Sequence, residues 1–382
     1  MRVLYVSPYP PMHDGIGNYT YALARAVRNA GNDVAVVVPR SVSEAPEEVV
    51  GALAPAWWKP ARLCSVIGQW NPDVIHIQFA IAAFGTRTFA LMRLLDAVRK
   101  DLRVPVVVTL HEVTRESAEL PGIGKPLFRF IAAHCDDLIV HTDIASNSLA
   151  KLVGRDRGIT VIPHPVIPPD AATSSRDELR ARFGLGDARV LLTFGFIHVD
   201  KGLGDLIKAF TILQEARPEA LDGVRLVVAG AVRRRTGLFR AFEARDQLHF
   251  ARVLRQVRRN SLEDHLIRTG YVPAGEVAAW FGIADGVVLP YRRIEQSGVV
   301  AIAHALNVPV LASTAGGLAE QVAGSPWTFP PRAPERIAET LDNFLAATPE
   351  DRAWCWSGQR EGDIASVATR TVEFYRKAMA AT

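Results

Sequence analysis

Short runs of apolar, mostly β-branched residues recur at Val3–Val6, Val34–Val38, Val74–Ile77, Val106–Leu110, Leu138–Val140 and Thr160–Ile162. Longer stretches separate them, and in these the apolar positions return at helical spacing. Short buried runs alternating with amphipathic segments predict a parallel sheet with crossover helices. Between 163 and 175 the chain reads Pro-His-Pro-Val-Ile-Pro-Pro-Asp-Ala-Ala-Thr-Ser-Ser. Proline removes backbone donors and cannot continue a helix, so this stretch predicts a linker. The alternation then restarts with Val190–Phe194, Leu226–Val228, Ile267–Thr269, Gly286–Leu289 and Val308–Ala312. The expected fold class is α/β, with two doubly wound, Rossmann-like domains. In open sheets of this kind ligands bind beyond the carboxyl ends of the strands, so the loops that follow the strands are where chemistry is expected. The last stretch, Ser366–Ala380, places Val367, Val372, Phe374, Tyr375 and Met379 at helical spacing and is suited to pack on either domain.

A length of 382 residues exceeds what one core usually organises, which agrees with two domains. The formal net charge of +4 suits an anionic ligand or ordinary solubility, and it falls short of a nucleic-acid signature. Cys64, Cys135 and Cys355 are far apart and lack CxxC or histidine-rich spacing, so neither a disulfide framework nor a zinc site is indicated. A reducing cytoplasm fits that usage. The start, Met1–Ser7, reads as a first strand rather than a signal peptide. The apolar region 299–312 is interrupted by His304, Asn307 and Pro309, and no membrane span is expected.

Three strand-end loops carry candidate chemistry. Asp14-Gly15-Ile16-Gly17 precedes the helical run Tyr19–Ala30; its glycines permit close backbone approach, and the helix start suits a phosphate or a sugar hydroxyl. An ordinary strand-to-helix turn explains it equally well. Gly195-Phe-Ile-His-Val-Asp-Lys201-Gly202 holds the corresponding place in the second half, where Lys201 suits a diphosphate. The third loop leaves the strand Gly286–Leu289 through Pro290, carries Arg292, Arg293 and Glu295, and reaches Ser297, a residue able to cap a helix beginning at Gly298 or Val299. There the helix start offers donors to an anion, while Glu295 accepts hydrogen bonds from hydroxyls. A nucleotide sugar needs both.

Together these motifs resemble family-4 glycosyltransferases of the GT-B fold and the glycogen synthase-like superfamily, which retain anomeric configuration. Also matching are Asn29–Val34, Pro72–Ile77, Val108–Glu112, Val161–Pro163, Gly270–Pro273, Ala284–Pro290 and Pro309–Ser313, with Gly316, Gly317 and Glu320 following. The resemblance implies two Rossmann-like domains facing across a cleft. An acceptor-binding domain would span 1–168, completed by 366–382 as the closing helix returns to it. A nucleotide-sugar-binding domain would span 169–365. It further implies that Glu295 contacts the transferred sugar, that Gly298 and Val299 supply donors near the diphosphate, and that Lys201 meets its β-phosphate. Gly17, with Gly15, would face the donor from the first domain, and His111 would stand near the reacting sugar. A histidine satisfied at a strand end explains His111 as well. Trp356 and Tyr375 fall where the family's crossing segment carries aromatics, and core packing accounts for them.

The match departs at two positions. The family's second acid, which binds the ribose, would fall at Ala303. An arginine that accompanies the phosphate-binding lysine would fall at Phe196. Arg292 and Arg293 are the favoured substitutes for that arginine, with Arg233-Arg-Arg235 as the other source. The basic run Arg233–Asn260, with Phe239, Phe242 and Phe250, reads as a solvated amphipathic helix or as one that docks on an acceptor, the other domain or an anionic membrane. Ala54–Cys64, with Trp57, Trp58, Lys59 and Arg62, is a second candidate for acceptor or membrane contact.

The expected activity is therefore transfer of a hexose-type sugar from a nucleoside-diphosphate sugar, UDP- or GDP-linked, to an acceptor hydroxyl. It needs no cofactor and no metal, since no Asp-x-Asp spacing sits at a strand end. The acceptor would be a small molecule, a lipid-linked group or a saccharide. No nucleic-acid partner is expected. The place would be the cytoplasm or the inner face of its membrane, with peripheral contact. A non-catalytic scaffold and a nucleotide-sugar epimerase are the rival readings.

Overall fold

A computed structural model describes the chain apart from residues 13, 54, 56–59, 114, 115, 118–121, 156, 170, 236–239, 354–361, 381 and 382. Trp57, Trp58, Lys59, Phe239, Cys355 and Trp356 thus lie outside the described residues. The chain divides into one unit of Met1–Ile167 with Arg360–Thr382, and a second of Pro168–Gln359.

The first unit is built on a seven-stranded sheet in the order β3-β2-β1-β4-β5-β6-β7, with every pairing parallel. Its strands are β1 (Arg2–Val6), β2 (Asp33–Val38), β3 (Val49–Ala52), β4 (Val74–Phe79), β5 (Val106–Leu110), β6 (Asp137–Val140) and β7 (Ile159–Val161). The helices of seven residues or more in this part are α1 (Gly15–Asn29), α2 (Ala61–Trp70), α3 (Thr88–Ala97), α4 (Gly124–His134) and α5 (Asp143–Val153). The central strands β1, β4 and β5 are buried along nearly their whole length, as continuous apolar runs in a parallel sheet require.

The second unit has a six-stranded sheet, again all parallel, in the order β10-β9-β8-β11-β12-β13. Its strands are β8 (Arg189–Phe194), β9 (Val224–Ala229), β10 (Leu266–Arg268), β11 (Gly286–Leu289), β12 (Val310–Ser313) and β13 (Thr328–Phe329). The helices are α6 (Arg176–Arg182), α7 (Leu203–Ala216), α8 (Arg240–Arg259), α9 (Ala274–Gly282), α10 (Gly298–Ala305) and α11 (Pro334–Ala346). The unit opens on a capping box: Glu178 N donates to Ser175 Oγ (3.1 Å) and Ser175 N to Glu178 Oε2 (2.8 Å), which fixes where α6 starts.

The sequence pattern finds every strand except β3 and β13, and it starts the strand at Val308 where β12 begins at Val310. The closing helix α12 (Ile364–Ala380) packs on α1, with Val367, Ala368, Val372, Tyr375 and Ala378 in the first unit's core. In each sheet the strand order reverses beside the first strand of the unit, between β1 and β4 and between β8 and β11. The loops leaving those strands flank a topological switch point, the place where open α/β sheets bind ligands.

Candidate active site at the strand ends

In the second unit the switch point is framed by two loops, residues 195–202 after β8 and 290–297 after β11. They are locked together. Gly202 adopts φ +68°, and a Cβ there would lie 1.8 Å from Pro290 O, so only glycine fits between them. Arg292 N donates to Asp200 O at 2.7 Å. The Arg292 guanidinium grips buried Asp205 with two bonds of 2.6 and 2.7 Å, and Arg293 Nε meets buried Asp200 at 3.1 Å. The Asp205 pair also holds the Arg292 guanidinium above its ordinary pKa. The two arginines expected to replace the missing phosphate ligand thus brace the two loops. The buried carboxylates at 200 and 205 need those cations.

Lys201 is held where the sequence places it. Its Nζ donates to the Tyr291 hydroxyl at 2.5 Å and lies 3.9 Å from the centroid of that ring. Tyr291 is 1% exposed, and its carbonyl accepts from Ser313 Oγ at 2.6 Å. Sequence reasoning passed over Tyr291, although it stands directly after Pro290 in the same loop.

Glu295 is buried at 3% exposure, just ahead of α10. Its loop is backed by Gly316, at φ +52°, where a Cβ would fall 2.1 Å from Ile294 O. The helix begins at Gly298, but Ser297 does not cap it with its side chain. Instead Gln321 clamps the Ser297 peptide, its Oε1 accepting from Ser297 N at 2.7 Å and its Nε2 donating to Ser297 O at 3.4 Å. Ser297 Oγ is left buried without a hydrogen-bond partner at the mouth of the helix. Gly298 is exposed, and a Cβ built there would meet nothing within 4 Å. The N–H groups of Gly298 and Val299 belong to the first turn and have no acceptor inside the helix, so they face that open side with the positive end of the helix dipole. The Val299 side chain itself sits in the core. Ala303 is fully buried in the same apolar cluster, so the position expected to hold a ribose-binding acid faces the core.

Gly195, at φ +99°, turns the chain sharply out of β8, and its carbonyl lies where a side chain on Gly230 would be. Long α8 is anchored by Asp246, 1% exposed, which accepts from Val199 N and pairs with Arg235 and Arg245, each at 3.4 Å. Phe250 packs against the core, and Phe242 lies under Arg235 and Arg245. These aromatics serve packing.

In the first unit α1 starts at Gly15, capped by Asp14, whose Oδ1 accepts from Ile16 N at 2.9 Å and Gly17 N at 3.4 Å. Gly17 is pressed against Pro8, 3.3 Å from where its Cβ would stand, whereas Gly15 is exposed with open space around it. His111, at the end of β5, lies in a buried chain of hydrogen bonds. His141 Nδ1 lies 2.8 Å from Ile162 O, which only accepts, so that nitrogen carries the proton. His141 Nε2 faces His111 Nδ1 at 3.3 Å, and His111 Nε2 meets Gln78 Oε1 at 2.8 Å. Gln78 Nε2 continues to His76 Nε2 at 3.2 Å, and His76 Nδ1 to the Tyr375 hydroxyl on α12. Each ring nitrogen of His111 therefore faces a protein group, and as a neutral ring it donates through one of them. Burial, the largest cause, drives these histidines toward the neutral form: His76 and His141 fall to about 3, His164 to about 4, and His111 well below its ordinary value.

The chain matches the family described as Glycosyltransferase Family 4 over residues 13–168 and Glycosyl transferases group 1 over residues 175–359. A glycogen synthase of Mycobacterium tuberculosis is 28% identical, with 98% of this chain and 94% of the relative covered. A D-inositol 3-phosphate glycosyltransferase of Kineococcus radiotolerans is 26% identical, with 96% and 91% covered. Among solved structures, Anabaena Alr3699/HepE in complex with UDP and glucose superimposes with a TM-score of 0.74 at 16% identity, over 98% of this chain and 99% of that one. Two parallel Rossmann-like units, matched end to end by these relatives, make this chain a glycosyltransferase of the family-4 type with the GT-B fold.

Proposed function

We propose that the enzyme moves a hexose-type sugar from a nucleoside-diphosphate sugar to an acceptor hydroxyl, with retention at the anomeric carbon and without a metal ion. The observation that carries this reading is the pairing, across the β8/β11 switch point, of a cation fixed by Tyr291 with a buried carboxylate set just before an open helix start. A departing diphosphate is an anion beside a polyol, and this arrangement offers something to each part. Lys201 and the Gly298 and Val299 N–H groups stabilise charge as the C1–O bond breaks, and such preorganised charge is often the largest catalytic contribution. Glu295 accepts hydrogen bonds from sugar hydroxyls and holds the ring in place. The acceptor oxygen forms the new bond to C1 on the face the diphosphate leaves, and its proton passes to a diphosphate oxygen.

UDP is the first donor base to try, because HepE, of the same fold, binds UDP and glucose. A thermal-shift panel of UDP, GDP, dTDP and ADP, each with several sugars, identifies the donor. Glu295→Gln and Lys201→Ala are each expected to cut turnover severely while leaving the melting temperature close to that of the parent. Unchanged turnover in both removes the site assignment. Absence of stabilisation by every nucleotide favours the non-catalytic reading, and a changed sugar nucleotide formed without acceptor favours epimerisation.

A further inference from the structure

In the first unit, α3 is apolar on more than its inner side. Leu91, Leu94 and Leu95 are 1–2% exposed, as the core-facing stripe of a helix should be. The opposite side of such a helix ordinarily carries charged residues. Here it carries Phe89, which is 59% exposed, and half-buried Met92 and Ala97. α3 packs against both α2 and α4, and these three side chains, with Phe130 of α4 and Pro60 just before α2, line an open groove of about 740 Å³. Ile123, one residue ahead of α4, is 57% exposed.

The groove has a basic surround. α2, α3 and α4 hold Arg62, Arg93, Lys125 and Arg129 against a single carboxylate, Asp96. That carboxylate is already taken, with Lys100 at 2.7 Å and His134 at 3.8 Å. Arg62, Lys125 and Arg129 are exposed. An anionic bilayer offers phosphates above an apolar layer, and this face offers cations around aromatic and thioether side chains. Lysine and arginine stems can lie along the apolar layer while their heads stay among the phosphates. An acidic protein surface would answer the cations and leave the groove unfilled. We infer that the α2–α3–α4 face docks the enzyme on an anionic lipid surface, with Phe89 and Ile123 entering the boundary between headgroups and acyl chains. Among the described residues no helix is long and apolar enough to cross a membrane, so the contact is one of resting on the surface. α8, which the sequence also offers for such contact, differs in kind. Arg240, Arg252, Arg255, Arg258 and Arg259 are exposed on it, but Leu248 is its one exposed large apolar side chain, so it would adsorb through charge alone.

The test is co-sedimentation of the full chain with vesicles of phosphatidylcholine alone and of phosphatidylcholine mixed with phosphatidylglycerol. Binding to the mixed vesicles and not to the neutral ones is expected. Phe89→Asp should weaken it about 10- to 100-fold, the worth of burying one aromatic side chain. Arg62→Gln with Lys125→Gln should weaken it about 10- to 30-fold. These side chains are exposed, so the variants should keep the parent's melting temperature, and Ile123→Asp repeats the test should Phe89→Asp fail to fold. Added salt should remove the share owed to the two cations and leave the share owed to Phe89. Arg252→Gln with Arg255→Gln, on α8, should keep most of the affinity. Failure of the parent to bind either vesicle, or binding by Phe89→Asp and Ile123→Asp equal to the parent's, overturns the assignment. Loss confined to the α8 variant moves the contact to that helix. A parent that binds no vesicle and is a dimer split by Phe89→Asp gives the face to a second copy of the chain instead.

Discussion

Lowering the pH from 7.5 to 5.0 is predicted to destabilise the first unit far more than the second. His76, His111 and His141 are 1%, 5% and 6% exposed, and burial holds all three neutral, with His76 and His141 at about 3. In the unfolded chain each titrates near 6.5. Above that value the ring is neutral in both states and the full stability is present. Below it the unfolded chain takes up protons that the native unit refuses, so stability falls from about pH 6.5 down through the native pKa. At pH 5.0 His76 and His141 each cost about 2 kcal/mol, against a typical total of about 5–15 kcal/mol, and His111, held well below its ordinary value by burial, acts in the same direction. His164, at about 4, acts in the same direction. Hydrogen exchange read by mass spectrometry, corrected for the intrinsic rate at each pH, separates β1, β4 and β5 from β8, β9 and β11. His141→Gln should reduce the pH dependence in the first unit by about one proton, or roughly 2 kcal/mol over this interval. Equal opening free energies for β4 and β5 at the two pH values would show that the cluster is not held neutral.

Further outcomes follow from the braces around the second unit's site. Arg292→Ala leaves buried Asp205 unpaired and should cost about 3–5 kcal/mol of stability in chemical denaturation, while Arg292→Met with Asp205→Leu recovers most of it. Gly202→Ala drives a Cβ into Pro290 O at a positive φ, so a loss of about 3 kcal/mol or more is expected, read as a lower melting temperature. Gln321→Leu strips the acceptor from Ser297 N and should cost about 1–3 kcal/mol, with weaker nucleotide binding as the start of α10 loosens. Turnover should be the same in EDTA as in added Mg²⁺, and a collapse on chelation would overturn the metal-independent mechanism.

The sheets were legible because buried parallel strands are written as continuous β-branched runs, and the restart after the proline-rich stretch marked the second unit. β3 and β13 escaped because they are edge strands, β3 four residues long, half-buried and broken by Gly51, and β13 two residues long. At the site, Lys201, Glu295 and Gly298 were visible as motif residues in strand-end loops. Their supports were not. Asp200 and Asp205 claim Arg293 and Arg292 across about ninety residues of sequence, and Gln321 reaches Ser297 from beyond β12. His111 showed the same limit: its partners come from β4, β6 and, through His76, α12, a constellation no local pattern encodes.

Tyr375 on α12 is completely buried and bonds both Tyr5 and His76. During synthesis, β1 and β4 leave the ribosome long before the segment that closes over them, and all of Pro168–Gln359 emerges in between. The later unit is therefore free to finish folding first, while the earlier one waits with its core open along the face that α12 will cover. A nascent chain arrested before residue 364 should expose that face to chaperones, and one extended past residue 380 with its last turn outside the exit tunnel should not.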